Sequence, residues 1–229
     1  MTETPIPLHS DLVPFVEPAR PGLFTVLRSP LVYSVPYSAS QNEYLNRLYQ
    51  QKQSRVAEAV RDQDWGKIII LHERAHRLNA FLHYQDQMTD REYWSLASEV
   101  YVDTENADQN FEIWCEVVTS GRGGREHFMR PGERKAFKEL PAVIPVYRGC
   151  TDSEILDLSW TVDLKVAEWF AQRFDQNGFV LEGKVCKRDV IGFLTRRGEA
   201  EIATLPDCVF DIQPLGAQRQ SAKKRAMGF

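Results

Sequence analysis

Among 229 residues the chain has only four cysteines, Cys115, Cys150, Cys186 and Cys208, and no two of them stand in C-x-x-C spacing. That argues against a zinc knuckle and a dense disulfide framework, and it fits a reducing compartment. Charge of one sign is scarce too. The 28 basic and 32 acidic residues leave a formal net charge of −4, too even for a protein that coats nucleic acid over its whole surface. Long apolar runs are missing: the longest purely aliphatic stretch is Ile68-Ile69-Ile70-Leu71, against the roughly 20 residues of a membrane-spanning helix. The N-terminus carries acids and prolines instead of a basic stretch followed by an apolar one. We therefore expect no span, no cleaved signal and a cytoplasmic location. No internal repeat or low-complexity tract is visible.

What is present is globular material, 43% hydrophobic and 26% charged, long enough to bury a core. Seven of the twelve prolines fall in residues 1–36, which excludes long helices there and predicts an arm, residues 1–40, that wraps without forming a core. Helical spacing then dominates residues 41–140. Leu45, Leu48, Tyr49, Val56, Ala59 and Val60 share one face of a first helix, and a second is expected over 65–83 with Ile68, Leu71, Ala75, Leu78 and Leu82 inward. Thr89-Asp90-Arg91-Glu92 has the form of a capping box and opens a third, with Tyr93, Leu96, Ala97 and Val100 in line. Phe111, Trp114, Cys115 and Val118 align on a fourth, which the glycines at 121, 123 and 124 end; a short basic segment follows to about Glu139.

After Pro141 the texture changes. Strands are expected at 143–148, 158–161, 179–186, 190–194, 199–204 and 209–215, interrupted by one helix over 163–174. Helices followed by strands indicate an α+β fold, taken as a single domain whose β-rich half is 141–216, with a basic tail at 217–229. The tail carries Arg219, Lys223, Lys224 and Arg225, a solvated surface by default.

Four short pieces of the β-rich half carry chemistry. Arg148 ends an apolar run, 143–146, and an arginine at the end of a buried strand needs a fixed anion. A structural carboxylate would serve, and so would a diphosphate, whose oxygens suit the guanidinium fork. Ser159-Trp160-Thr161 alternates, so two hydroxyls face one way and the indole the other. Asp163 can cap the next helix, on which Val166, Ala167, Phe170 and Phe174 have core spacing. Glu199 and Glu201, on one strand, would share a face about 6.5–7 Å apart. Each piece alone has an ordinary structural reading.

Taken in order, Tyr147-Arg148-Gly149, Ser159-x-Thr161, the aromatic Phe170 and Glu199-x-Glu201 resemble the arginine-serine-glutamate class of mono-ADP-ribosyltransferases, which includes cholera-like and clostridial binary toxins and the vertebrate arginine-specific enzymes. The resemblance covers about 143–206. It implies NAD as substrate, no metal, and a helical lobe packed on a two-sheet C-terminal core with an NAD cleft. By similarity Arg148 holds the NAD diphosphate, the main chain of Gly149 binds the nicotinamide amide, Ser159 supports the catalytic Glu201, and Thr161 shapes the same floor. Phe170 stands where the family places an aromatic against the nicotinamide, and Glu199 orients or deprotonates the acceptor. The implied partners are a protein or nucleic-acid acceptor, with an arginine side chain favoured, and an inhibitory partner protein, with no membrane. The implied role is a bacterial or phage effector or toxin. The chain departs from the family pattern in the short segment between Arg148 and Ser159 and in reading Ser-Trp-Thr where Ser-Thr-Ser is common.

A competing motif lies upstream. His72-Glu73-Arg74-Ala75-His76 is a formal H-E-x-x-H, and on a helix its two histidines could hold zinc with Glu73 as the base of a metalloprotease. A third ligand is required. Asn79 and Leu82 stand where the extended motif wants glycine and histidine, and Glu92 or Glu99 carries no supporting pattern. A catalytically inert NAD-binding module is a third reading.

Overall fold

Proline decides how the chain begins. The computed structural model describes residues 6–18, 24–104, 110–151, 157–174 and 177–215; the basic tail expected at 217–229 and the Phe174 side chain lie outside the described residues. Among the described residues up to 36, the early prolines leave a 3-10 turn at Ser10–Phe15 and three two-residue strands, β1 (Val16–Glu17), β2 (Val26–Leu27) and β3 (Val35–Pro36), paired antiparallel in the order β1-β2-β3. Contrary to the expectation of a wrapping arm without a core, Leu12, Leu27 and Val32 are fully buried with Leu45 and Tyr49 of α1 (Asn42–Arg61). The reason lies in polar side chains of α1, which bond backbone groups of the arm that no strand pairs. Asn42 Nδ2 donates to Ile6 O at 2.8 Å, Asn46 Nδ2 to Pro7 O at 2.9 Å, and Asn46 Oδ1 accepts from His9 N at 2.7 Å.

The helix expected over 65–83 is broken in two. α2 (Trp65–Leu71) stops at His72, which is extended, and α3 (Arg77–Tyr84) resumes after a 3-10 turn at Arg74–His76. Tertiary bonds take the groups that a continuous helix would have paired. Glu73 N donates to Pro30 O at 2.8 Å, Lys52 Nζ to Leu71 O at 3.3 Å and Arg77 Nε to His72 O at 3.2 Å. Periodicity alone could not foresee those partners.

The chain divides into two compact units, one of residues 1–89 and 99–104 and the other of 90–98 and 105–229, so this boundary differs from the change of texture near residue 140. α4 (Asp90–Asp103), which starts where the capping box puts it, contributes to both. The second unit holds α5 (Phe111–Val118) and α6 (Pro131–Glu139). Reading 122–139 as a plain basic segment missed α6, although Pro131 at its first turn and Glu133 closing on Arg130 N at 2.7 Å are helix-start signals.

The strands of this unit are β4 (Val143–Cys150), β5 (Ser159–Thr161), β6 (Phe179–Cys186), β7 (Val190–Leu194), β8 (Glu201–Thr204) and β9 (Val209–Pro214), with α7 (Leu164–Phe174) between β5 and β6. The segregation is that of an α+β fold with antiparallel sheets. Where two sheets were expected after residue 141, the described strands make one, in the order β7-β8-β5-β4-β6-β9. Its halves meet at a single register position, Tyr147 opposite Thr161, whereas β4 pairs with β6 along its whole length. Ile144, Val146, Trp160, Leu181, Val185, Phe193 and Ile202 form a core that runs across this junction. Among the described residues no helix is long and apolar enough to cross a membrane.

Candidate functional site

The strand order places the expected residues on three neighbours: Arg148 on β4, Ser159 and Thr161 on β5, and Glu201 at the start of β8. Thr161 lies opposite both Tyr147 and Glu201, and Ser159 opposite Ala203. Cross-strand partners share a face, so Ser159, Thr161 and Glu201 line the side of the sheet away from Trp160 and Ile202. α7 packs against β4, β6 and β5. A Cβ on Gly149 would stand 2.1 Å from Ala167 O and 2.4 Å from Ala171 N, so glycine here lets strand and helix touch. Phe170, half-buried on this helix, meets Trp169 edge-on with centroids 4.9 Å apart, and Arg173 lies 5.0 Å over the exposed Trp169 ring.

Arg148 continues the inward row of Ile144 and Val146, and its guanidinium reaches β5 just past the point where the two strands pair. Nη1 donates to Ser159 O at 2.6 Å, and Nη2 lies 3.5 Å from Asp157 Oδ2, the two side chains being 16% and 12% exposed. Nε is buried with no hydrogen-bond partner among the described residues. Asp157, missed in the sequence, is itself fixed by Leu158 N at 2.5 Å. Its only sequence signal is an acid two residues ahead of Ser159, beside apolar Leu158.

The glutamates depart from expectation. Glu199 precedes β8 in a turn, and Ala200 between the two has φ +45°, so the alternation that would put both carboxylates on one face is broken. A left-handed alanine is strained by roughly 1–2 kcal/mol, and the neighbouring strand holds it in place. Thr161 Oγ1 donates to Glu199 O at 2.6 Å and accepts from Asp163 N at 3.0 Å, while Val162 N donates to Ala200 O at 3.1 Å. Thr161 thus ties the loop of Glu199 to the start of α7, where Asp163 Oδ1 caps Lys165 N at 2.9 Å.

The H-E-x-x-H residues are not on one helix, because the break at His72 separates them. His72 Nδ1 bonds Ile68 O at 2.7 Å, and burial holds both His72 and His76 below the usual imidazole value. Among the described residues no group of three or more His, Cys, Asp or Glu is placed to hold a metal ion.

Comparison with known proteins finds no matching family model, no matching curated protein and no matching solved structure.

Proposed function

We propose that this chain is a mono-ADP-ribosyltransferase that moves ADP-ribose from NAD to an intracellular macromolecular acceptor, an arginine side chain in preference to a nucleic-acid base, as a bacterial or phage effector. The observation that carries the reading is the adjacency of β4, β5 and β8, which sets Arg148 and Glu201 on either side of the hydroxyl-bearing strand. Two strand spacings separate their backbones, about 10 Å, and the pleat starts Arg148 on the face of Ile144 and Val146 and Glu201 on the opposite one, so a sugar and its adjoining phosphate would meet both groups around the end of β5, where the guanidinium bonds Ser159 O.

The residues present fit such a ligand. The 3.5 Å contact of Arg148 with Asp157 is longer than the roughly 2.7–2.9 Å of a strong charge-assisted bond, so Nη2 is left to turn to a diphosphate. NAD, when bound, supplies a glycosidic bond to a cationic leaving group. Glu201 stabilises the positive charge that grows on the ribose as that bond lengthens, an electrostatic role for a fixed anion. Ser159 supports it from the neighbouring strand. Glu199, on the turn and bound through its carbonyl to Thr161, is free of the pleat and meets the acceptor. Phe170 and Trp169 offer aromatic surface beside Gly149.

Incubating the protein with adenylate-labelled NAD and a cell lysate, then reading protein and RNA fractions by mass spectrometry, tests the proposal. Label on a defined acceptor with release of nicotinamide is expected; intact NAD would refute it. One observation favours a second reading, an inert module: Arg148 already has an internal anion in Asp157, as a purely structural cation would.

A further inference from the structure

We propose that Glu133 and Arg196 form a buried brace that positions Glu201, with Glu133 acting through the turn between β7 and β8. This rests on the reading of Glu201 as the catalytic carboxylate.

The side chains of Glu133 and Arg196 are 4% and 9% exposed, the best-buried ion pair among the described residues. Arg196 Nε donates to Glu133 Oε1 at 3.1 Å, and Nη2 donates to Ser98 Oγ, to Phe128 O at 3.4 Å and to Glu133 Oε2 at 3.4 Å. The carboxylate also accepts Thr195 N at 2.9 Å and Arg130 N at 2.7 Å. One anion therefore joins the start of α6 to the residue that leaves β7.

From Thr195 the chain has six residues in which to deliver Glu201. Gly198 N closes the turn on Thr195 O at 3.0 Å, with Gly198 at φ +73° and Ala200 at φ +45°. The far end is fixed by Thr161 on the Glu199 carbonyl and by Val162 on the Ala200 carbonyl. The turn is thus clamped at both ends, and only the far clamp belongs to the site itself. A buried ion pair often gives less stability than apolar residues of the same volume, and its clearest use is to specify one arrangement. Here the arrangement specified is the path into Glu199 and Glu201. The Glu133 carboxylate bonds Arg130, Thr195 and Arg196, none of them assigned to NAD, so it is a positioning residue.

Two readouts test the brace. In Glu133→Gln and in the milder Ser98→Ala, amide exchange over residues 195–201 should rise about tenfold and about threefold respectively, while exchange in the β4–β6 ladder stays unchanged. Nicotinamide release by Glu133→Gln should fall at least tenfold in kcat with KM for NAD within about twofold. The double variant Glu133→Leu/Arg196→Met guards against simple unfolding: it should keep the thermal midpoint yet retain the kcat loss. Wild-type exchange in 195–201 in the folded single variants, or wild-type kcat in the stable double variant, overturns the brace. Absence of NAD cleavage by the wild-type protein would sink the transferase reading instead, and the exchange measurement would still decide whether Glu133 fixes the turn.

Discussion

Arg148 and Arg196 both stand at strand ends of the same unit, mostly buried, yet they are held in different ways. Arg196 is enclosed by both oxygens of Glu133, a hydroxyl and a carbonyl. Arg148 has one firm bond, to Ser159 O at 2.6 Å, and a carboxylate at 3.5 Å. Burying a guanidinium with few close acceptors costs free energy. A cation whose task is only to hold the fold is expected to look like Arg196. The looser arrangement of Arg148 is what a ligand-binding arginine requires.

The widest gap between the two should appear in stability. Arg196→Met strands the Glu133 carboxylate in the interior and should lower the unfolding free energy by about 3–5 kcal/mol. Arg148→Met, beside a looser partner, should cost about 1 kcal/mol; urea denaturation of both variants reads the difference, and equal losses would erase the contrast. Activity should invert the order. Arg148→Lys keeps the charge but loses the planar fork, so nicotinamide release should drop by about 10²-fold, the scale of one lost electrostatic contact in an active site, with the thermal midpoint nearly unchanged. An unimpaired lysine variant would make Arg148 structural after all. A smaller effect is expected at Glu199, whose turn position separates it from Glu201: Glu199→Gln should reduce transfer to acceptor roughly tenfold while sparing NAD hydrolysis, and equal loss of both would place it in the cleavage step.

The weakest lever lies in the other unit, at two histidines. Burial holds His72 and His76 below the ordinary imidazole value, so the folded state binds their protons less tightly than the unfolded chain does. Their neutral forms cost nothing above about pH 6.5, and stability falls as pH drops below it. Glu73 has the opposite sign: burial raises its carboxyl above the usual value, and its penalty is relieved only further down, towards about pH 4.5. Thermal melts of His72→Asn should show a shallower decline between about pH 6.5 and 5 than the parent; an unchanged slope would assign the acid response elsewhere.

Much of the sheet was legible because its strands are bounded by residues with a fixed physical meaning. Strands 179–186 and 190–194 match β6 and β7 residue for residue, each being bounded by turn residues. Asp163 marks the start of α7 through capping chemistry, and α4 starts at Asp90, where the Thr89-Asp90-Arg91-Glu92 pattern put it. What was not legible depends on partners distant in sequence. The break at His72 goes with Pro30 and Lys52 taking the backbone groups on either side of it, and no local pattern contains them. The left-handed Ala200, which separates Glu199 from Glu201, is held by Thr161 and Val162 of another strand. Asp157 and Glu133 escaped notice because an acid looks the same on a solvated surface as beneath an arginine. The candidate residues were named from motifs alone, and only the strand order brings Arg148, Ser159, Thr161 and Glu201 onto adjacent strands.

Glu201→Gln tests the central claim most directly, since it removes one negative charge and little volume. Nicotinamide released from NAD should be followed for the wild-type and variant proteins, with matching thermal midpoints and circular dichroism establishing that both are folded. The account predicts measurable release by the wild type and a loss of about 10²–10³-fold or more in the variant. Release at the wild-type rate from a folded Glu201→Gln protein would contradict it.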